Sequence, residues 1–176
     1  MEEKTLHSQT VYEGRLIKVR TDTVQTEHGT TVREIVEHNP AVAVIAVNQG
    51  EFILVKQYRK AAENELLEIV AGSIDEGESP QQAAQRELAE EIGYRAGKMT
   101  KLGAFYLSPG YCNEYIYLFL AENLTVSSVR AEDTDEIIPV RLSAKTIAEM
   151  IGAGQIKDGK TLAAFTLYQA YLKSKR

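Results

Sequence analysis

Over the first forty residues apolar and polar positions trade places every second residue, most clearly across 11–19 and 31–37, with His28-Gly29 as a turn between them. That period is the mark of half-buried strands, so this stretch is expected to form a hairpin-rich antiparallel β unit. Asn39-Pro40 interrupts the pattern. Two denser apolar runs follow, 41–47 and 52–58, separated by Asn48-Gln49-Gly50, and predict a more deeply buried hairpin. Further strands are expected at 103–107, 115–121 and 137–142. The period lengthens to that of a helix over Pro80–Ile92, 144–151 and roughly 160–172. The combination predicts an α+β fold, a mixed sheet between helices, with residues 1–40 as an N-terminal β unit and 41–176 as the main domain. In the last helix Leu162, Phe165, Tyr168 and Leu172 form a stripe expected to face the core. The acidic stretch 122–135 is expected to be a loop.

The helix over Pro80–Ile92 carries the chemistry. Ser79 before Pro80, with Gln82 three residues on, is a helix start, and Gly93 is a helix end. Ala84, Leu88 and Ile92 repeat every four residues as a buried stripe, and Glu87 and Glu91 lie along its edge. Like charges at helical spacing cost roughly 0.2–0.5 kcal/mol per pair, and Glu87 forms such pairs with both Glu90 and Glu91. Asp75, Glu76 and Glu78 in the preceding loop add negative charge that Arg86 alone cannot offset. A bound divalent cation would offset it. With only oxygen donors in the stretch, a hard ion, Mg²⁺ or Mn²⁺, is favoured over Zn²⁺, and Mg²⁺ suggests a phosphate-bearing substrate.

Composition narrows the alternatives. The chain has 176 residues, 44% of them hydrophobic, enough for one domain of ordinary size with a small appendage. A net charge of −5 argues against a nucleic-acid groove, and the apolar runs are too short to span a membrane. The opening Met-Glu-Glu-Lys lacks the pattern of an export signal, which makes the cytoplasm the expected compartment. Cys112 is the single cysteine, so no internal disulfide is expected, and it is assigned no role.

Taken position by position, the stretch Gly72–Tyr94 resembles the box of the Nudix hydrolases: Gly72, Glu78, Arg86-Glu87, Leu88, Glu90-Glu91 and Gly93 all fall at the family's spacing. The resemblance implies a Nudix-type fold in which the Ala71 carbonyl, Glu87 and Glu91 hold metal, Glu90 shares or supports it, and Arg86 braces the glutamates. Ser108-Pro109-Gly110 resembles the loop of the ADP-ribose pyrophosphatase subgroup, as do residues 33–38, 55–59 and 65–72. It implies hydrolysis of ADP-ribose to AMP and ribose 5-phosphate, with Arg59 on the pyrophosphate and Glu114, held by the rigid Pro109-Gly110 turn, against a sugar. It also implies a homodimer whose N-terminal strands help build the partner's adenosine pocket, with Arg33 and Tyr12 as contributors. Aligning Asp135-Glu136-Ile137-Ile138 with the family's late acidic loop selects Glu136 as the base that takes a proton from water; Glu132, Asp133 and Asp135 are rivals. Val70, Tyr94 and Pro139 depart from the family's usual residues, and Pro139 places its strand at an edge or bulge. Other readings of the same residues are a Nudix hydrolase of a nucleotide sugar or dinucleotide, a ligand sensor that binds without cleaving, and an acidic interaction module.

Overall fold

A computed structural model describes residues 2–127 and 137–175. It divides into two units, residues 1–40 with 105–116 and residues 41–104 with 117–176. The first is built on an antiparallel sheet of β1 (Lys4–Glu13), β2 (Ile17–Thr26) and β3 (Gly29–His38) in the order β1-β2-β3. The alternation across 11–19 therefore spans two strands and a turn, which the Gly14 amide closes by donating to the Ile17 carbonyl at 2.9 Å. Periodicity did not register this turn, because polar and apolar residues keep alternating through it. A Cβ on Gly14 would lie 2.6 Å from the Tyr12 hydroxyl, so a larger residue there would push the exposed Tyr12 side chain aside. Residues 105–116 join the same unit through Val36, whose amide donates to the Tyr111 carbonyl at 2.7 Å and whose carbonyl accepts from Asn113 at 3.1 Å.

The second unit contains β4 (Ala41–Asn48), β5 (Glu51–Arg59), β6 (Asn64–Glu68), β7 (Val70–Ser73), α1 (Pro80–Ile92), β10 (Ile138–Leu142), α2 (Ala144–Gly152) and α3 (Gly159–Ser174). Two long strands, β8 (Tyr94–Tyr106) and β9 (Tyr115–Val126), contribute the parts before 105 and after 116. The strand order is β10-β5-β4-β9-β8, with β6 paired to β5 and β7 to β4. Together with its helices this mixed sheet gives the α+β architecture expected from the sequence. The hairpin between β4 and β5 turns on Gln49 and Gly50, both with positive φ, of 53° and 83°. Two consecutive left-handed residues are what a two-residue turn matched to strand twist requires. Val42, Val44, Ile53, Val55, Leu88 and Phe119 form the centre of the core beneath α1.

Several elements differ from their expected extents. β6 and β7 are short strands in a region whose sequence announces a motif more strongly than a period. β8 begins nine residues before the expected 103, its first half carrying exposed Arg95, Gly97 and Lys98 among half-buried Tyr94, Ala96 and Met99. β9 runs on to Val126, so 122–126 are strand where a loop was expected; residues 128–135 of that expected loop lie outside the described residues. β10 ends the sheet order with Pro139 in its second position, opposite Val55, an edge placement of the kind a proline tolerates. The buried side of α3 is Thr161, Ala164 and Phe165, the last edge-on to Phe52 at 5.3 Å, whereas Leu172 is exposed.

Candidate active site

Ser79 caps α1 by accepting from the Gln82 amide, while the Gln82 side chain accepts from the Ser79 amide at 2.9 Å; Gly93 ends the helix in the left-handed region at φ 72°. Both ends being fixed, the register of Arg86, Glu87, Glu90 and Glu91 against β7 is fixed too. Arg86 spends its whole guanidinium on this site. Nε and Nη2 donate to the two Glu78 oxygens at 3.1 and 2.9 Å, Nη2 also to the Ser73 carbonyl at 2.9 Å, and Nη1 to Glu87 at 2.6 Å and Glu90 at 3.1 Å. The Glu78 bonds above all, with Glu87 adding to them, hold Arg86 protonated far beyond any physiological pH. It ties the loop before the helix, the end of β7 and two helix carboxylates to one planar group.

Glu87 is 9% exposed and lies directly over Gly72: a Cβ on Gly72 would sit 2.0 Å from its Oε1. The first glycine of the motif is thus the space the carboxylate occupies. Burial pushes the Glu87 carboxyl above its ordinary value, against the pull of Arg86. Glu91 is pushed up to about 8, first by burial and then by the charge of Glu87; its Oε2 accepts from the Ala71 amide at 3.3 Å. Among the described residues no three His, Cys, Asp or Glu side chains converge into a ready-made metal cage. Arg86 draws Glu87 and Glu90 toward itself, and Glu91 turns to the Ala71 amide. The donors nevertheless fit a hard divalent ion. They are all oxygens, the glycine leaves room for one of them, and the charge conflict that raises Glu91 is what a cation would relieve.

Beside these carboxylates lies a group that sequence reasoning missed. Arg59, at the end of β5, forks onto Glu68 with two bonds of 2.8 Å, and Glu68 is 1% exposed. Lys160, in the first turn of α3, meets the same carboxylate and also donates to Asp158 at 3.1 Å. Thr161 is fully buried; its hydroxyl donates to Asp158 at 2.5 Å and accepts from the Ile69 amide at 3.0 Å. The available signal was Glu68 itself, one carboxylate inside the apolar run Leu66-Leu67-Glu68-Ile69-Val70. Burial pushes Glu68 up, but Arg59 and Lys160 outweigh it and hold the carboxyl below its ordinary value. The positive charges of Arg59 and Lys160 both pull the Glu91 carboxyl down, against its burial. Tyr94, unusual at its position, is used here as well: its hydroxyl accepts from Arg141 of β10 at 2.8 Å.

Most of the remaining expected residues fall in the first unit. Ser108 accepts from the amides of Tyr111 at 3.2 Å and Cys112 at 2.9 Å, so Pro109 and Gly110 form a tight turn. Pro109, Gly110, Tyr106, Tyr111, Arg20 and Arg33 line a cavity of about 480 Å³. Arg33 is forked onto Glu3 at 3.0 and 2.6 Å. Glu114 follows this turn, and its amide points to the Cys112 Sγ at 3.4 Å. Tyr12 is exposed on β1. Glu136, with its rivals Glu132, Asp133 and Asp135, lies outside the described residues.

An acidic helix braced by one arginine over a glycine, on an α+β scaffold, supplies oxygen donors of the kind that suit a hard divalent cation. Residues 37–165 match the family described as NUDIX domain, and residues 3–36 match the nucleoside diphosphate sugar hydrolase N-terminal domain. The chain belongs to the NUDIX family and is a Nudix pyrophosphohydrolase; hydrolases of this family generally use divalent metals. It is 40% identical over 173 residues to the ADP-ribose pyrophosphatase of Bacillus subtilis (strain 168), covering 96% of this chain and 94% of that one. It is 39% identical to the methanol dehydrogenase activator of Bacillus methanolicus, covering 96% and 93%, and 35% identical to the GDP-mannose pyrophosphatase of Yersinia pestis, covering 79% and 77%. The crystal structure of an ADP compounds hydrolase superimposes with a TM-score of 0.90 at 25% identity, over 99% of this chain and 96% of that one.

Proposed function

We propose that this protein hydrolyses the pyrophosphate of ADP-ribose, with Mg²⁺ or Mn²⁺ as the metal, to AMP and ribose 5-phosphate. The observation that carries this reading is the 40% identity to an ADP-ribose pyrophosphatase along 96% of the chain, through both structural units. Metal held by Glu87, Glu91 and the Ala71 carbonyl would offset pyrophosphate charge and acidify a water. Glu90 shares the load, and Arg86 keeps the carboxylates in place. Arg59 offers phosphate the Nη1 edge that its Glu68 fork does not use. Arg33, Pro109, Gly110 and Glu114 are the substrate-binding candidates of the first unit, Arg33 for the adenosine and Glu114 for sugar hydroxyls. Glu136 takes the proton of the water that attacks phosphorus, as the oxygen bridging the two phosphates leaves.

A nucleotide-sugar substrate is the second reading, favoured by the match of residues 3–36 and by the GDP-mannose pyrophosphatase relative. Product analysis separates the two. The purified protein with Mg²⁺ is offered ADP-ribose, GDP-mannose and other nucleotide sugars, dinucleotides and oxidised nucleoside triphosphates, with Glu91→Gln as control. AMP and ribose 5-phosphate formed chiefly from ADP-ribose is the expected result, and preference for GDP-mannose would replace it with the second reading.

A homodimer belongs to this proposal. β1 is exposed along its whole length, and Leu6, Val11, Tyr12, Leu16 and Val32 leave large apolar surface on the three-stranded unit. Light scattering behind size exclusion is expected to give about twice the 19.6 kDa chain mass at micromolar concentration; a monomer there would refute the dimer.

A further inference from the structure

Lys160 breaks two local rules at once. It puts a cation in the first turn of α3, where the helix dipole disfavours positive charge, and its side chain is only 11% exposed. Residues that violate local preference are found where a site needs them. Its partner Glu68 is shared with Arg59, so two cations divide one buried carboxylate, and Asp158 supplies the fourth charge of the group. With Lys160 the four groups sum to zero. Without it they sum to −1, and that excess lies on the Arg59 guanidinium, whose Nη1 the Glu68 fork does not use. Asp158, the N-cap of α3, holds Lys160 and is itself held by the amide and hydroxyl of Thr161, which also accepts from the Ile69 amide one residue after Glu68.

We propose that Lys160 is a positioning residue: it carries part of the Glu68 charge, so that Arg59 stays available to the pyrophosphate of the substrate. The inference rests on the assignment of Arg59 to pyrophosphate made above. Lys160 itself touches no substrate. Its effect passes through Glu68, which makes it reversible at Glu68, and a lysine that merely anchored α3 would not behave so.

The experiment compares wild type, Lys160→Met, Lys160→Arg, Glu68→Gln and the double variant Lys160→Met with Glu68→Gln. Steady-state kinetics with ADP-ribose, calorimetric binding of inorganic pyrophosphate in the presence of Mg²⁺, and thermal unfolding are measured on each. Lys160→Met is expected to raise KM and weaken pyrophosphate binding about tenfold or more, with kcat within about threefold of wild type. Lys160→Arg keeps the charge and stays near wild type. In the double variant the neutral amide no longer competes for Arg59, and pyrophosphate binding returns to within about threefold of wild type. A lowered Tm with unchanged KM and unchanged pyrophosphate binding in Lys160→Met would overturn the inference, as would a double variant no better than Lys160→Met. Should wild type turn over GDP-mannose and not ADP-ribose, the substrate reading fails alone and the pyrophosphate arm decides Lys160. Wild type that binds no pyrophosphate overturns the Arg59 assignment and the Lys160 inference together.

Discussion

Glu91→Gln is expected to lower kcat by roughly 10²–10³-fold or more while making the metal-free protein more stable. The two effects share one cause. Glu91 is largely buried, next to the equally negative Glu87, and among the described residues its hydrogen bond is the 3.3 Å contact from the Ala71 amide. Ionising it in the native state is therefore costly, and its carboxyl is pushed up from an ordinary 4.5 to about 8. Because the folded value lies above the unfolded one, the native state binds more protons between these two limits. Metal-free stability is then fully present below pH 4.5 and falls as pH rises toward 8. Glutamine cannot ionise, so the variant should lose this slope and gain about 1–3 kcal/mol at pH 8. Thermal unfolding from pH 5 to 9, in EDTA and again in Mg²⁺, measures both claims. In Mg²⁺ the ionised carboxylate gains a partner, and the wild type should recover at high pH what the variant cannot. A wild-type Tm that stays flat with pH in EDTA, or a variant less stable than wild type, would refute this account of Glu91.

How much of this was legible in the sequence depended on how local the controlling physics is. Helix α1 was readable to the residue, since Ser79, Pro80, Gln82 and Gly93 act within one turn of their own positions. The β4–β5 hairpin was readable for the same reason, through Asn48-Gln49-Gly50. The turn at Gly14 was not, because polar and apolar residues keep alternating through it. Nor could the sequence show that Glu68 recruits Lys160 from 92 residues away, a pairing set by the packing of α3 against the sheet. Residue chemistry suggested Arg59 as a phosphate ligand, and the structure adds that two of its donors are already committed to Glu68. Arg86 presents the reverse case. Its spacing from Glu87 and Glu90 was visible along the helix, whereas its bonds to Glu78 and the Ser73 carbonyl depend on how the loop before α1 folds back.

That distribution of bonds makes Arg86 the residue whose replacement should be felt most widely. A lysine at this position keeps the charge but offers three donors around a single nitrogen, where the guanidinium serves acceptors on three sides. Nζ could reach Glu87 and Glu90 or fold back toward Glu78 and Ser73; it cannot span both groups. Arg86→Lys should accordingly release either the loop at Asp75–Glu78 or the helix carboxylates. The Glu87 carboxylate, 9% exposed and pressed against Gly72, has little room to find another partner. Leaving a buried carboxylate short of its counter-charge destabilises a fold by about 3–5 kcal/mol when the partner is removed outright. Arg86→Met is expected to approach that loss in chemical denaturation, and Arg86→Lys to lose about half of it. Activity should separate from stability: at a temperature where Arg86→Lys is fully folded, its kcat should still fall roughly 10²-fold, since displacement of Glu87 and Glu90 by about 1 Å is enough to spoil metal placement. Excess Mn²⁺, which accepts a looser oxygen cage than Mg²⁺, should recover part of that kcat in the lysine variant and none in Glu91→Gln. Full activity in Arg86→Lys with Mg²⁺ would show that charge alone suffices and that the planar fork has no catalytic consequence.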